Sequence, residues 1–254
     1  MKPTPTIRVW LGGSFDPVHV GHVAMLQHVH QRLRQAVPDL PIVTSFLPTA
    51  GSPLKASPTA NAHRLAMLQL VLAKIPYLTL DDSEIHQPPP VYTINTLITF
   101  AKRYPNDIRI FVLGDDSASN LARWRRGDEL LDWANLWIMA RAGQNDAATP
   151  SIDKALRQFF SPQQNIIAEQ TLDLINTHKN LILIDDFMPP TTASRDIRAW
   201  LADLGQANLA PTDHAMSRDV LLTNLHNALP PAVLAYIRQH NLYGVNCNLP
   251  THLL

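Results

Sequence analysis

His19 and His22 stand three residues apart in the segment LGGSFDPVHVGH, residues 11–22. Two imidazoles at that spacing lie together on a first helical turn and can reach one group between them. Each can donate a hydrogen bond, and each can carry charge beside a phosphate. Gly12 and Gly13 precede them, and a backbone without Cβ atoms lets a polyphosphate come close. A second stretch of the same chemistry is TTASRDIR, residues 191–198. Its hydroxyls fall where a helix begins, and Arg198 follows Ser194 by four residues, on the same face one turn on. Hydroxyls and an arginine at a helix start make a polyphosphate site. Taken alone, both stretches also read more plainly, Gly-Gly with Pro17 as an ordinary turn and Thr191–Ser194 as helix caps.

The elements that must position these residues follow from apolar spacing. Ile7, Val9 and Leu11 read as a buried first strand. Val23, Leu26, Val29, Leu33 and Val37 recur at threes and fours as one face of a helix. The two glycines therefore fall at a strand-to-helix turn, and the histidines open the helix. There unpaired N–H groups and the positive end of the helix dipole attract anions. Further strands are expected around Ile42–Phe46, in YLTL at 77–80, in IRIFVLG at 108–114, in ANLWIMAR at 134–141 and in LILIDD at 181–186. A proline-rich loop, residues 48–61, separates the second strand from a helix through Leu65, Leu68, Val71 and Leu72. Another helix carries Thr93, Thr96, Leu97 and Phe100. Residues 142–180 show a polar loop and two weakly amphipathic helical stretches, around Leu156 and Phe160 and around Leu172 and Ile175. Residues 205–227 read as a loop with one short helix. Pro230-Pro231 opens a last helix with Val233, Leu234 and Ile237 inward, ending at Tyr243-Gly244, and residues 245–254 read as a tail. Six strand candidates alternating with helices imply an α/β fold, a doubly wound and mostly parallel sheet with helices on both faces and a C-terminal helical segment. We expect one domain over 1–254, with its core at about 6–204 and its C-terminal helical portion at about 205–244.

Composition excludes several classes. Of 254 residues, 21 are Lys or Arg and 21 Asp or Glu, so the formal charge is zero and a broad nucleic-acid or anionic-membrane surface is not expected. A single cysteine, Cys247, leaves no internal disulfide and no cysteine-based zinc site. The opening MKPTPTIRVW lacks the apolar run of a signal peptide, and no stretch approaches the length of a membrane span. The expectation is a cytoplasmic protein that binds neither nucleic acid nor membrane.

The segment GGSFDPVHVGH resembles the signature of the nucleotidylyltransferase superfamily, in the form carried by bacterial nicotinate mononucleotide adenylyltransferases. The dinucleotide fingerprint G-x-G-x-x-G is absent. The resemblance covers about 200 residues and implies a Rossmann-like fold. It implies ATP-binding roles for Gly12, Gly13, Ser14, Phe15, His19 and His22. Gly114 and Asp116, in IRIFVLGDD, correspond to a Gly-x-Asp element near the adenosine end of ATP. Ser194 and Arg198 match a motif Ile-Ser-Ser-Thr-x-Ile-Arg, in which this chain has Ala193 for one serine and Arg195 for the threonine. Lys55 matches the lysine of a Pro-His-Lys element whose histidine is here Leu54, and Arg64 the arginine that follows; both would serve phosphate groups on the acceptor side. Tyr92-Thr93 and Trp124 fall where the family meets the pyridine carboxylate and ring, and Arg125 could neutralise that carboxylate by charge.

The activity so implied is adenylyl transfer from ATP to nicotinate mononucleotide, with His19, His22, Lys55, Ser194 and Arg198 as the catalytic set and Mg²⁺ arriving on ATP. The protein's own side chains supply no metal site in this reading. Alternatives on the same scaffold are nicotinamide mononucleotide or another phosphate acceptor. An alternative from another class is a nucleotide-binding regulator that has lost turnover.

Overall fold

A computed structural model describes residues 3–51, 59–139, 156, 159–160, 180–206 and 216–245, together with the backbone of 166–169. The chain divides into two compact units. The first, comprising residues 1–14, 25–56 and 77–189, contains every described strand. These are β1 (Ile7–Gly13), β2 (Ile42–Pro48), β3 (Leu78–Leu80), β4 (Ile108–Gly114), β5 (Asn135–Met139), β6 (Ile166–Glu169) and β7 (Leu181–Asp185). They form one sheet in the order β3-β2-β1-β4-β5-β7-β6, and every pairing is parallel.

Parallel neighbours require crossovers, and helices supply them. Among the described residues the α-helices include α1 (Val20–Ala36), α2 (Asn61–Leu72), α3 (Thr93–Arg103), a single turn α4 (Asp115–Ala118), α5 (Ser194–Gln206), α6 (Arg218–Ala228) and α7 (Pro231–Gln239). The expected α/β, doubly wound class is what the structure has. Strands buried on both faces read as unbroken apolar runs, and β5, Asn-Leu-Trp-Ile-Met, is buried at every position. The chain leaves β1 toward β2 on one side, while β4 starts the other half beside β1. The switch point of the sheet therefore lies at the carboxyl ends of β1 and β4, at Gly13 and Gly114. In open α/β sheets ligands collect at such a point. Within this unit Trp10 stacks on Phe100 of α3, with ring centroids 4.3 Å apart, and its indole N–H donates to Asp81 at 2.9 Å.

The structure departs from the expected elements in four places. β6 is a seventh strand in a region read as loop and helix. Four residues, Ile-Ile-Ala-Glu, are too few for either periodicity to show, and pairing with β7 decides their state. Leu156 and Phe159 are helical as expected, and Leu156 and Phe160 are buried; the stretch around Leu172 and Ile175 lies outside the described residues. The short helix expected within 205–227 is α6, eleven residues long and capped by the Ser217 hydroxyl, which accepts from Val220 N–H. The last helix ends at Gln239, and a separate 3₁₀ turn, Leu242–Gly244, follows a left-handed Asn241. Val245 is 1 % exposed and belongs to the packed chain rather than to a tail.

The second unit, residues 15–24, 57–76 and 190–254, contains helices and connecting turns but no strand among its described residues. α5 packs on α6 and on the terminal 3₁₀ turn, and α2 packs on α7. Met67, Leu68, Leu201, Leu225, Val233 and Ile237 are fully buried there, each contributing about 1.5–3 kcal/mol by removal from water. The His63 ring nitrogen Nδ1 and the Tyr236 hydroxyl, 2.9 Å apart, tie α2 to α7. At one point two backbones touch. A Cβ on Gly205, in α5, would collide with the carbonyl oxygen of Gly244, whose φ of +82° itself favours glycine. Gly205→Ala should therefore destabilise the protein by about 2–4 kcal/mol through backbone overpacking. Chemical denaturation read by circular dichroism tests this, and an unchanged midpoint would show that the two segments separate freely.

Candidate functional site

The signature turn lies in the second unit, from Phe15 onward. His19 is the residue before α1, and its carbonyl accepts the first helical bond from Val23 N–H at 3.2 Å. His22 reaches back one turn, so that its Nδ1 accepts from the His19 backbone N–H at 3.4 Å. This is the geometry of a capping box with histidine in the place usual for Glu or Gln. With Nδ1 accepting, a neutral His22 carries its proton on Nε2, which becomes the donor nitrogen. The two rings stack at 3.6 Å between centroids, and the edge of Phe15 meets His22 at 5.0 Å. Gly21 permits this arrangement. A Cβ there would stand 2.9 Å from the Pro190 carbonyl oxygen and 3.1 Å from the His19 ring.

The TTASRDIR stretch grips the same turn. Ser194 Oγ donates to the Pro17 carbonyl at 3.0 Å, and Arg198 donates to the Asp16 carbonyl at 2.6 Å. Two residues expected to hold phosphate are thus brought to within a few residues of His19 and His22. A guanidinium has five N–H donors, so one bond to Asp16 leaves Arg198 further capacity. Arg198 also lines an open hollow of about 440 Å³ with Thr59, His63, Asn241 and Tyr243. Arg195, which stands where the resemblance has threonine, is exposed and bonded to its neighbour Asp196 at 3.2 Å.

Arg64 lies in the first turn of α2, at the helix start where the sequence places it. It is fully buried, bonded to Asn61 on its own helix, and its charge faces Asp16 and Tyr243. Burial pushes the guanidinium below its ordinary value, and those two groups oppose the shift. Arg64 thus lies inside the second unit with its charge toward the signature turn. Asp16 itself is 2 % exposed, and its Oδ1 accepts from the Tyr243 hydroxyl at 2.7 Å. That bond joins residues at opposite ends of the chain, and nothing in the sequence marks it. Lys55 and Leu54 lie outside the described residues.

The first unit carries the remaining candidates. Gly12 is required by packing, because a Cβ there would stand 2.6 Å from the Phe111 ring on β4. Gly13 ends β1, where its carbonyl accepts from Thr49 N–H at 3.0 Å, and Ser14 follows it, partly buried. Gly114 ends β4 and is the N-cap of α4. Asp115 accepts from Asp116 N–H at 2.7 Å, and Asp116 from Ser117 N–H at 2.9 Å, so both aspartates satisfy the start of that turn. Tyr92 is the N-cap of α3 and makes no side-chain capping bond, and Thr93 is the first residue of the helix. The Arg125 guanidinium lies over the Tyr92 ring at 4.7 Å, an arrangement that brings a cation to the start of α3. Trp124, partly buried, packs against the core beside it.

Below the start of α3 sits a group that sequence reasoning missed. Glu84 is 5 % exposed and accepts from the Thr96 hydroxyl at 2.6 Å and from the Thr49 side chain. Burial raises its carboxyl to about 7, and the two threonine bonds only partly oppose this. In the sequence Glu84 is one of several acidic residues after a short strand, with no signal that distinguishes it from solvated neighbours.

Comparison with known proteins follows the same lines. The family model described as cytidylyltransferase-like matches residues 10–199. A probable nicotinate-nucleotide adenylyltransferase of Serratia proteamaculans is 30% identical over 245 residues, 95% of this chain and 97% of that protein. Its namesake from Aeromonas hydrophila is 30% identical over 234 residues, 92% of this chain and 95% of that one. Among solved structures, the Plasmodium falciparum nicotinic acid mononucleotide adenylyltransferase complexed with NaAD superposes with a TM-score of 0.64. That match has 18% identity and covers 96% of this chain and all of that one, a likeness of fold. No helix among the described residues is long and apolar enough to cross a membrane.

The Glu84 environment has a measurable consequence. Its carboxyl has an ordinary value of 4.5 and is raised to about 7 in the folded state. Between those values the folded protein holds a proton that the unfolded chain has released, so stability falls as pH rises through this window. Glu84→Gln should remove that dependence. Relative to the variant, the parent protein should lose about 3 kcal/mol between pH 4.5 and pH 7, read from urea unfolding at pH 5 and pH 8. Parallel pH profiles for the two proteins would contradict it.

Proposed function

The chain belongs to the cytidylyltransferase-like family and, within it, to the nicotinate-nucleotide adenylyltransferases, and we propose how its own residues perform that reaction. ATP and nicotinate mononucleotide give nicotinate adenine dinucleotide and pyrophosphate. A phosphate oxygen of the mononucleotide attacks the α-phosphorus of ATP. The new P–O bond forms as the bond from the α-phosphorus to the bridging oxygen breaks, and pyrophosphate carries that electron pair away. The attacking phosphate has a second pKa of about 6 and is mostly ionised at neutral pH, so no general base is needed. Catalysis is then the alignment of two anions and the stabilisation of charge gathering on the α-phosphoryl oxygens.

The observation that carries this reading is the gathering of His19, His22, Ser194 and Arg198 on one turn at the start of α1. In this proposal the His22 Nε2–H and the His19 ring donate to the α-phosphoryl oxygens. Ser194 and Arg198 hold the departing pyrophosphate. The donor set of the turn is imidazole, hydroxyl and guanidinium, with the one carboxylate, Asp16, occupied by Tyr243. Such a set suits phosphate oxygens rather than a directly held cation. Mg²⁺ would accordingly come with ATP and offset phosphate charge, with no side chain of the turn holding it directly. Gly12, Gly13, Ser14 and the Phe15 backbone are assigned to the ATP phosphates, and Gly114 and Asp116 to its adenosine end. Lys55, Thr93, Trp124 and Arg125 are assigned to the acceptor. The cation over Tyr92 at the start of α3 supports the reading of a carboxylate there.

The test is pyrophosphate release from Mg·ATP with nicotinate mononucleotide and nicotinamide mononucleotide offered in parallel. Strong preference for the acid is expected. Equal rates or preference for the amide would move the acceptor assignment, and silence with both would leave a nucleotide binder. His22→Ala should lower kcat about tenfold to a thousandfold. A fully active variant, with its melting temperature measured beside it, would remove His22 from the machinery.

A further inference from the structure

The terminal 3₁₀ turn does more than close the fold. Tyr243 adopts φ 58° and ψ 27°, and Phe15, next to Asp16, adopts φ 49°. For a non-glycine residue the left-handed region is strained, and this strain stands at both ends of the Tyr243–Asp16 hydrogen bond. Asp16 is 2 % exposed, and its second carboxylate oxygen, Oδ2, has no hydrogen-bond partner among the described residues. The Tyr243 hydroxyl at 2.7 Å is therefore the neutral donor on which this buried carboxylate depends. Removing one partner from a buried pair leaves the other's desolvation uncompensated. Burial and the Asp16 bond push the Tyr243 phenol well above its ordinary range, so it stays a donor throughout the working pH range. Thr59 bonds the same phenol, and Arg64 faces both groups from α2.

The position of this pair gives it leverage. Asp16 is three residues from His19, and its own carbonyl is the one held by Arg198. A displacement of the Asp16 side chain is transmitted through one short turn to the stacked imidazoles and to the arginine. We propose that Tyr243 is a positioning residue for adenylyl transfer, its hydroxyl holding the Asp16 carboxylate so that the turn presents His19 and His22 in register. This rests on the adenylyl-transfer reading for its effect on rate, but not for its effect on the geometry of the turn.

Two measurements on the full chain separate those layers. Tyr243→Phe should lower kcat about fivefold to thirtyfold with the KM values for both substrates changed less than about threefold, because orientation and not binding is lost. Asp16→Ala combined with Tyr243→Phe should cost no more than the larger single substitution, the signature of groups acting through one bond. In the protein without substrates, the imidazole Cε1–H resonances of His19 and His22 should move in Tyr243→Phe. They should stay in place in Tyr236→Phe, whose hydroxyl meets His63 instead. The proposal is overturned by a Tyr243→Phe kcat within twofold of the parent, by unmoved His19 and His22 resonances, or by multiplicative losses in the double variant. If the parent protein is silent in the transfer assay while the resonances still move in Tyr243→Phe, the positional role stands and the adenylyl-transfer reading fails.

Discussion

The turn from Phe15 to Val18 leaves the end of a strand and enters a helix, and its carbonyls belong to neither ladder. Backbone acceptors buried without partners are costly, and here the partners come from far along the chain. Arg198 takes the Asp16 carbonyl and Ser194 that of Pro17. On those two bonds depends the placement of His19, the N-cap of α1, and of His22, which caps it in return. The same residues thus build the turn and are the ones proposed to donate to substrate phosphates.

That double use explains why the chemistry sits where it does. A parallel sheet delivers its carboxyl ends on one side, and the β1–β4 switch point brings Gly13 and Gly114 to adjacent strands. The start of α1, in the second unit, carries the positive end of a helix dipole. An arginine and a serine can bridge the turn's carbonyls and still hold phosphate, since a guanidinium carries five donors and a hydroxyl can reorient. Carboxylates would be out of place among such donors, and the one present, Asp16, is turned inward to a phenol.

Two buried polar groups carry another lesson. Arg64 and Glu84 are long charged side chains in a sequence that offers no reason to bury them, yet both are inside. Each is held by short local bonds, to Asn61 and to Thr96 respectively. Such groups are expensive to desolvate, and both stand behind elements that carry candidate site residues. Their cost is consistent with fixing geometry rather than with adding stability.

The sequence by itself determined the strand-turn-helix unit at residues 7–37, the six long apolar runs, and the parallel α/β class, because apolar periodicity and Gly-Pro punctuation are local signals. It also marked the histidine spacing and the hydroxyl-arginine stretch as candidates for phosphate binding, since each lies within one or two helical turns. Tertiary structure alone decided β6, whose four residues gain their state only by pairing with β7. It decided that Gly12 is demanded by Phe111 across the sheet, and that Arg64 is buried with its charge toward Asp16 and Tyr243. It decided that the hydroxyl of Tyr243 meets a carboxylate 227 positions away. The reason is common to all four: partners distant in the chain leave no periodic trace, and burial and hydrogen bonding are assigned only once the backbone has brought them together.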